Sequence, residues 1–259
     1  MLRQMLKRLA LLLSLLPALA ACGDDDGARA AAADRPQLTV SAAASLKTAF
    51  TEYGKQFADA DARFSFAGSD ELAAQIEQGV KPDVYAAANT KLPDALYEKG
   101  LVGKPMVFAG NRLVLAVPAD GAEVASLEDL GTKGVTIAIG AEDVPVGSYT
   151  RTVLDKLPPA QSKAILANVR SEEPDVGGIT GKLTQGAVDA GFLYVSDVRA
   201  TGGKLEAIEL PEELQPAVAY GVAVVTGAKH PEEAKAFIAG LLDGAGAQAL
   251  EDAGFEPPP

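Results

Sequence analysis

Histidine, cysteine and tryptophan are almost missing from this chain of 259 residues, which has one, one and none of them. A single cysteine allows no disulfide within the chain, and a single histidine leaves no His/Cys cluster for a transition metal. Serine-nucleophile chemistry lacks a base as well. The sole histidine, His230 in "KHPEEAKAF", precedes a proline at a helix start, where it reads as a surface residue of the cap region. No Gly-x-Ser-x-Gly elbow occurs. "GGITGKLT" is a P-loop decoy: its glycine-to-Gly-Lys spacing is one residue short, and Leu183 stands where a Mg²⁺-binding hydroxyl belongs. The carboxylates of "PEEL" and "SEEPD" read as solvated surface rather than as an acid/base pair. Positive charge is scarce too: 23 Lys and Arg face 35 Asp and Glu, a formal net charge of −12. Such a surface argues against nucleic acid as a partner and gives no long-range steering to anions. An anion site in this chain has to work by local dipoles.

Long hydrophobic runs are also absent. The stretch from Leu9 to Leu16 is interrupted by Ser14 and is too short to span a bilayer as a stable helix. Arg3, Lys7 and Arg8 precede it and small residues follow, so it reads as an export signal. Its removal takes the formal charge from −12 to −15. "LAAC" resembles the lipobox of bacterial lipoproteins, in which the cysteine becomes the lipidated first residue. The expectation is a signal peptide at 1–21, lipidation at Cys22 and an extracytoplasmic protein anchored to the cell membrane. "GDDDGARAAAADRP" has no hydrophobic periodicity and too little apolar surface to order itself, so 22–36 reads as a flexible tether.

The rest of the chain is long enough for a substantial core. Short apolar β-like runs alternate with amphipathic helical ones: 38–41 with 46–58, 63–66 with 71–78, 83–87 with 92–99. Strand-like runs at 112–117, 135–139, 169–171, 190–195 and 217–225 continue the series, with helices at 149–157, 179–185, 231–242 and 245–253. This alternation predicts an α/β fold of Rossmann-like lobes with mixed, mostly parallel sheets. "NRLVLAVPADG" ends in turn residues before a second α/β series begins, and "QPAVAYGVAVV" is a long β-run followed only by helices. The chain is therefore expected to cross twice between two lobes, one of 37–117 with 216–259 and one of 118–215. Its hinge strands would bend near Val117 and Ala217. In such sheets ligands bind beyond the carboxyl ends of strands, where helices begin.

Four strand-to-helix junctions combine small residues and hydroxyls with helix starts: "AAASLKTAF" with Ser45, "FSFAGSDELAAQI" with Gly68-Ser69, "EDVPVGSYTRTVL" with Pro145-Val146-Gly147-Ser148, and "EEPDVGGITGKL" with Asp175-Val176-Gly177-Gly178. A helix N-terminus leaves unsatisfied N–H groups and carries positive partial charge, so it binds anions without any cationic side chain. Glycine and alanine let the backbone come close, and a serine hydroxyl donates as well. Each junction alone is also an ordinary helix cap.

"TVSAAASLKTAF", "FAGSDELAAQIEQGVKPDVYAAAN", "NRLVLAVP", "DVPVGSYTR", "DAGFLYVSD" and "AVAYGVAVV" together resemble the molybdate-binding proteins of bacterial ABC importers. These are type II periplasmic binding proteins with Venus-flytrap lobes, and the resemblance runs from Leu38 to Phe255. It implies an oxyanion held by the hydroxyl and N–H of Ser45 and of Ser69, the N–H of Val146, the N–H of Val176, and the hydroxyl of Tyr194. It further implies molybdate or tungstate as ligand, no cofactor, no direct cation ligands and no catalytic residue. The implied partner is an ABC permease, and the protein is expected to be a monomer. Asp70 and Asn89 depart from the family's common serine and aspartate; Asp70 suits the first turn of a helix if it points outward. Three alternatives remain open: a binding protein for sulfate or another tetrahedral oxyanion, a secreted serine-dependent hydrolase, and a structural lipoprotein without ligand.

Overall fold

The structure, a computed structural model, describes residues 35–121 and 123–259. The expected signal peptide, Cys22 and nearly all of the expected tether lie outside them. The first half of the series runs β1 (Gln37–Ala43), α1 (Lys47–Gln56), β2 (Asp61–Ala67), α2 (Ser69–Glu77), β3 (Val84–Ala87), α3 (Lys91–Glu98) and β4 (Met106–Asn111). Then follow β5 (Leu113–Pro118), β6 (Ile137–Gly140), α4 (Pro145–Asp155), α5 (Pro159–Ala167), β7 (Val169–Glu173) and α6 (Val176–Thr184). The chain closes with β8 (Ala190–Tyr194), α7 (Val195–Ala200), β9 (Leu205–Glu209), β10 (Val218–Val224), α8 (Pro231–Leu242) and α9 (Ala245–Asp252).

Two five-stranded sheets result, ordered β2-β1-β3-β10-β4 and β7-β6-β8-β5-β9. In the first, β1 is parallel to β2 and β3, while β10 runs antiparallel to β3 and β4. In the second, β6 is parallel to β7 and β8, while β5 runs antiparallel to β8 and β9. Each sheet thus holds one reversed strand, and it is the strand the chain enters on arriving from the other sheet. The mixed, mostly parallel α/β architecture is as expected.

The first crossing lies elsewhere than expected. β5 pairs with β8 and β9, so Val117 sits inside the second sheet opposite Glu206 and cannot be the hinge. The chain leaves the first sheet at Arg112, between β4 and β5. The boundary at 117 fails because β4 and β5 are nearly continuous in sequence and only their partners distinguish them. Four elements escaped the sequence reading: β4, α5, α7 and β9. β9 is an edge strand that buries only Leu205, α5 buries only Ile165, and α7 has six residues, so each carries a weak periodic signal.

Central strands explain their own composition. β3, β5 and β8 are covered on both faces and are apolar almost throughout. The edge strands β2 and β7 alternate instead. The first lobe is filled with aromatic rings: Phe50 meets Phe64, Phe108 and Phe237 at centroid distances of 6.1, 6.0 and 5.6 Å. The edge of β4 is partly covered by the C-terminal tail, where Gly110 and Glu256 exchange two backbone hydrogen bonds of 2.8 and 3.0 Å.

Candidate oxyanion site

Each of the five residues of the implied donor set lies past the carboxyl end of a strand or at its last residue. Ser45 follows β1 in the 3-10 turn Ala44–Leu46, Ser69 opens α2 after β2, and Val146 is the second residue of α4 after β6. Val176 opens α6 after β7, and Tyr194 ends β8. Between the two lobes these ends border a cavity of about 20 Å³. Ser69, Val146, Val176 and Tyr194 line it, with Ala43, Ala67, Gly68 and Ala88 as small wall residues. Ser45 is not in that lining. It borders an adjoining cavity of about 390 Å³ that shares Ala44 and Val176 with the first.

The donors are left free by local structure. Neither α2 nor α4 has a side-chain cap, so the first-turn N–H groups of Ser69 and Val146 have no carbonyl one turn back to meet. At α6, Asp175 caps the helix but its Oδ1 accepts from Gly177 and Gly178, at 2.7 and 3.1 Å, sparing Val176. Ser69 Oγ accepts from the N–H of Ala88 at 3.1 Å, which leaves its own hydrogen free. Gly147 permits the start of α4: a Cβ there would sit 1.8 Å from the carbonyl oxygen of Ala141.

Tyr194 has the most telling position. It is 1 % exposed, and its Oη finds no hydrogen-bond partner among the described residues. Burial, then the nearby Tyr220, Tyr149 and Asp197, push its pKa well up, so it stays a donor at physiological pH. A buried orphan hydroxyl costs about 1–3 kcal/mol. Facing a cavity walled by helix N-termini, it is placed to be satisfied by an oxyanion.

The polar surroundings were only partly legible in the sequence. Ser45 Oγ lies 2.9 Å from Tyr220 Oη, and the Asn111 amide nitrogen lies 3.5 Å from the same phenol. In the sequence both stand only as parts of strands, although a lone polar side chain within an apolar strand is a signal. Asp197, buried behind Tyr194, accepts its N–H at 3.0 Å. Asp70 does not point cleanly outward: its Oδ1 is buried without a partner beside Gly68 and Pro174. Asn89 stays out of the lining and caps the start of α3 by accepting from Leu92 N–H at 3.0 Å. His230 precedes α8, its N–H donating to Asp83 Oδ1 at 2.8 Å, as a cap-region residue would. Among the described residues no three His, Cys, Asp or Glu side chains converge as a cation site.

The family described as bacterial extracellular solute-binding protein matches residues 38–256. The molybdate-binding protein ModA of Mycobacterium tuberculosis is 34% identical over 253 residues, covering 94% of this chain and 95% of that one. The periplasmic molybdate-binding protein of Azotobacter vinelandii has the same fold at 20% identity, with a TM-score of 0.77 over 86% of this chain and all of that one. The sulfate-binding protein SubI of Mycobacterium tuberculosis is nearly as similar in fold, with a TM-score of 0.76 at 16% identity, covering 86% of this chain and 87% of that one. The fold therefore leaves the anion undecided, and the family is shown by the sequence match: this chain belongs to the bacterial extracellular solute-binding proteins.

Proposed function

We propose that this protein captures molybdate or tungstate between its two lobes outside the cytoplasm and delivers it to the permease of an ABC importer. The observation that carries the reading is the buried, partnerless Tyr194 hydroxyl on a cavity whose walls are helix N-termini from both lobes. In this reading Ser45, Ser69, Val146, Val176 and Tyr194 form the donor shell. Ser45 joins it through a small movement of its turn from the neighbouring wall. Lipidation at Cys22, with 22–36 as tether, holds the protein at the membrane as a monomer, and lobes 37–111 with 218–259, and 113–209, close about the two crossings.

A shell of N–H and O–H donors suits a fully deprotonated tetrahedral dianion. A proton on the anion, as on phosphate near neutral pH, would face donors with no acceptor. Asp175 lines the cavity, but its Oδ1 is taken by the two glycine N–H groups. Asp70 carries the one buried, partnerless carboxylate oxygen nearby and is not among the lining residues. Sulfate carries the same charge, so its exclusion rests on cavity size.

Isothermal titration of the protein with molybdate, tungstate, sulfate and phosphate tests the reading. Heat from molybdate and tungstate with little from the others is expected. Tight sulfate binding with silence from both metal oxyanions would overturn it.

A further inference from the structure

Ser45 is held by residues outside the five-residue set. Its Oγ is 2.9 Å from Tyr220 Oη, on β10. The Asn111 amide nitrogen, at the end of β4, lies 2.9 Å from Ser196 Oγ and 3.5 Å from Tyr220 Oη. All four residues are buried, Tyr220 completely. The orientation of the amide is set by its oxygen, which accepts the Arg112 N–H at 2.9 Å. The nitrogen therefore faces the two hydroxyls, and an amide nitrogen only donates. In the relay inferred here Tyr220 Oη accepts from the Asn111 amide at 3.5 Å and donates its own hydrogen to the other oxygen in reach, Ser45 Oγ. With that lone pair occupied, the hydrogen of Ser45 is turned away from Tyr220. The ring of Tyr220 cannot drift, being packed against Phe255, Tyr194 and Phe108 at centroid distances of 5.2, 5.9 and 6.1 Å.

We propose that Asn111 and Tyr220 form a hydrogen-bond relay that makes Ser45 a one-way donor to the bound oxyanion, so that both act as positioning residues for a site they do not touch. The relay rests on the reading of Ser45 as an anion donor. It also explains a tyrosine and an asparagine buried at the junction of two apolar strands, where Leu or Phe would pack as well.

The test is a double-mutant cycle on the full chain, titrated with molybdate, with melting temperature recorded for every variant. Tyr220→Phe keeps the ring and removes the relay oxygen. In the wild-type background it is expected to weaken binding about tenfold, the size of one hydrogen bond to a charged group. In the Ser45→Ala background it is expected to change binding less than about twofold, because there is no hydroxyl left to aim. Equal losses in both backgrounds would overturn the relay and leave Tyr220 a packing residue. If Ser45→Ala alone binds molybdate as tightly as wild type, the assignment of Ser45 falls, and the relay with it. Should Tyr220→Phe fail to fold, the same cycle with Asn111→Leu decides, coupling supporting the relay and additivity overturning it.

Discussion

Tyr194 makes opposite demands on stability and on binding. Its orphan hydroxyl costs the protein free energy, so Tyr194→Phe is expected to leave unliganded stability unchanged or raise it by about 1 kcal/mol. The same variant should bind molybdate at least about tenfold more weakly, which thermal melts and titration would show together. A structural role alone would lower both. Asp197 makes a separate statement about pH. Burial, opposed by the Tyr194 N–H and helped by the charge of Asp175, raises its pKa to about 7. The unfolded chain releases that proton near pH 4. Between those values the native state holds more protons, so stability is fully present below about pH 4 and declines as pH rises through about 7. Asp197→Asn keeps an acceptor for the Tyr194 N–H and is expected to flatten the decline, as denaturant melts at pH 5 and pH 8 would register.

Among elements, the helix starts do most to shape the site, and their glycines are set by distance rather than by unusual dihedrals. Gly147 is the strictest case. A Cβ there would lie 1.8 Å from the carbonyl of Ala141 and 2.5 Å from that of Gly140, both backbone atoms that cannot move aside. Gly147→Ala should therefore tilt α4 off β6, move the Val146 N–H, and lose molybdate affinity together with about 1–3 kcal/mol of stability. Circular dichroism and titration of the same sample would test it, and wild-type affinity would contradict the placement of Val146 in the shell. Gly68 has a comparable role between lobes, since its Cβ would lie 2.6 Å from the carbonyl of Pro174. The sequence marked these junctions because small residues before a helix have a local cause. β4, α7 and β9 went unmarked because their identity depends on partners elsewhere in the chain.

For the whole molecule, a ligand that binds only the native state stabilises it by mass action. Molybdate at a hundred times its dissociation constant should add about 2.7 kcal/mol. For a body of this size that raises the melting temperature by roughly 5–11 °C, and sulfate at equal concentration should give much less. A chain beginning at Arg35 is expected to show the same rise, because the described body from Arg35 to Pro259 is one compact unit. Equal rises with sulfate and molybdate would contradict the size argument. The sequence by itself determined the α/β class and marked four helix starts rich in small residues, at Ser45, Gly68-Ser69, Pro145–Ser148 and Asp175–Gly178. Each of these follows from local chemistry, side-chain period and cap preference, whereas Tyr194 was marked only by the family resemblance. Tertiary structure alone decided where the chain crosses between sheets, that Ser45 stands one wall away from the other four with its hydroxyl on Tyr220, and that Asp70 turns an oxygen inward. Those facts depend on residues more than a hundred positions apart meeting, as Ser45 and Tyr220 do, and no local pattern encodes that distance.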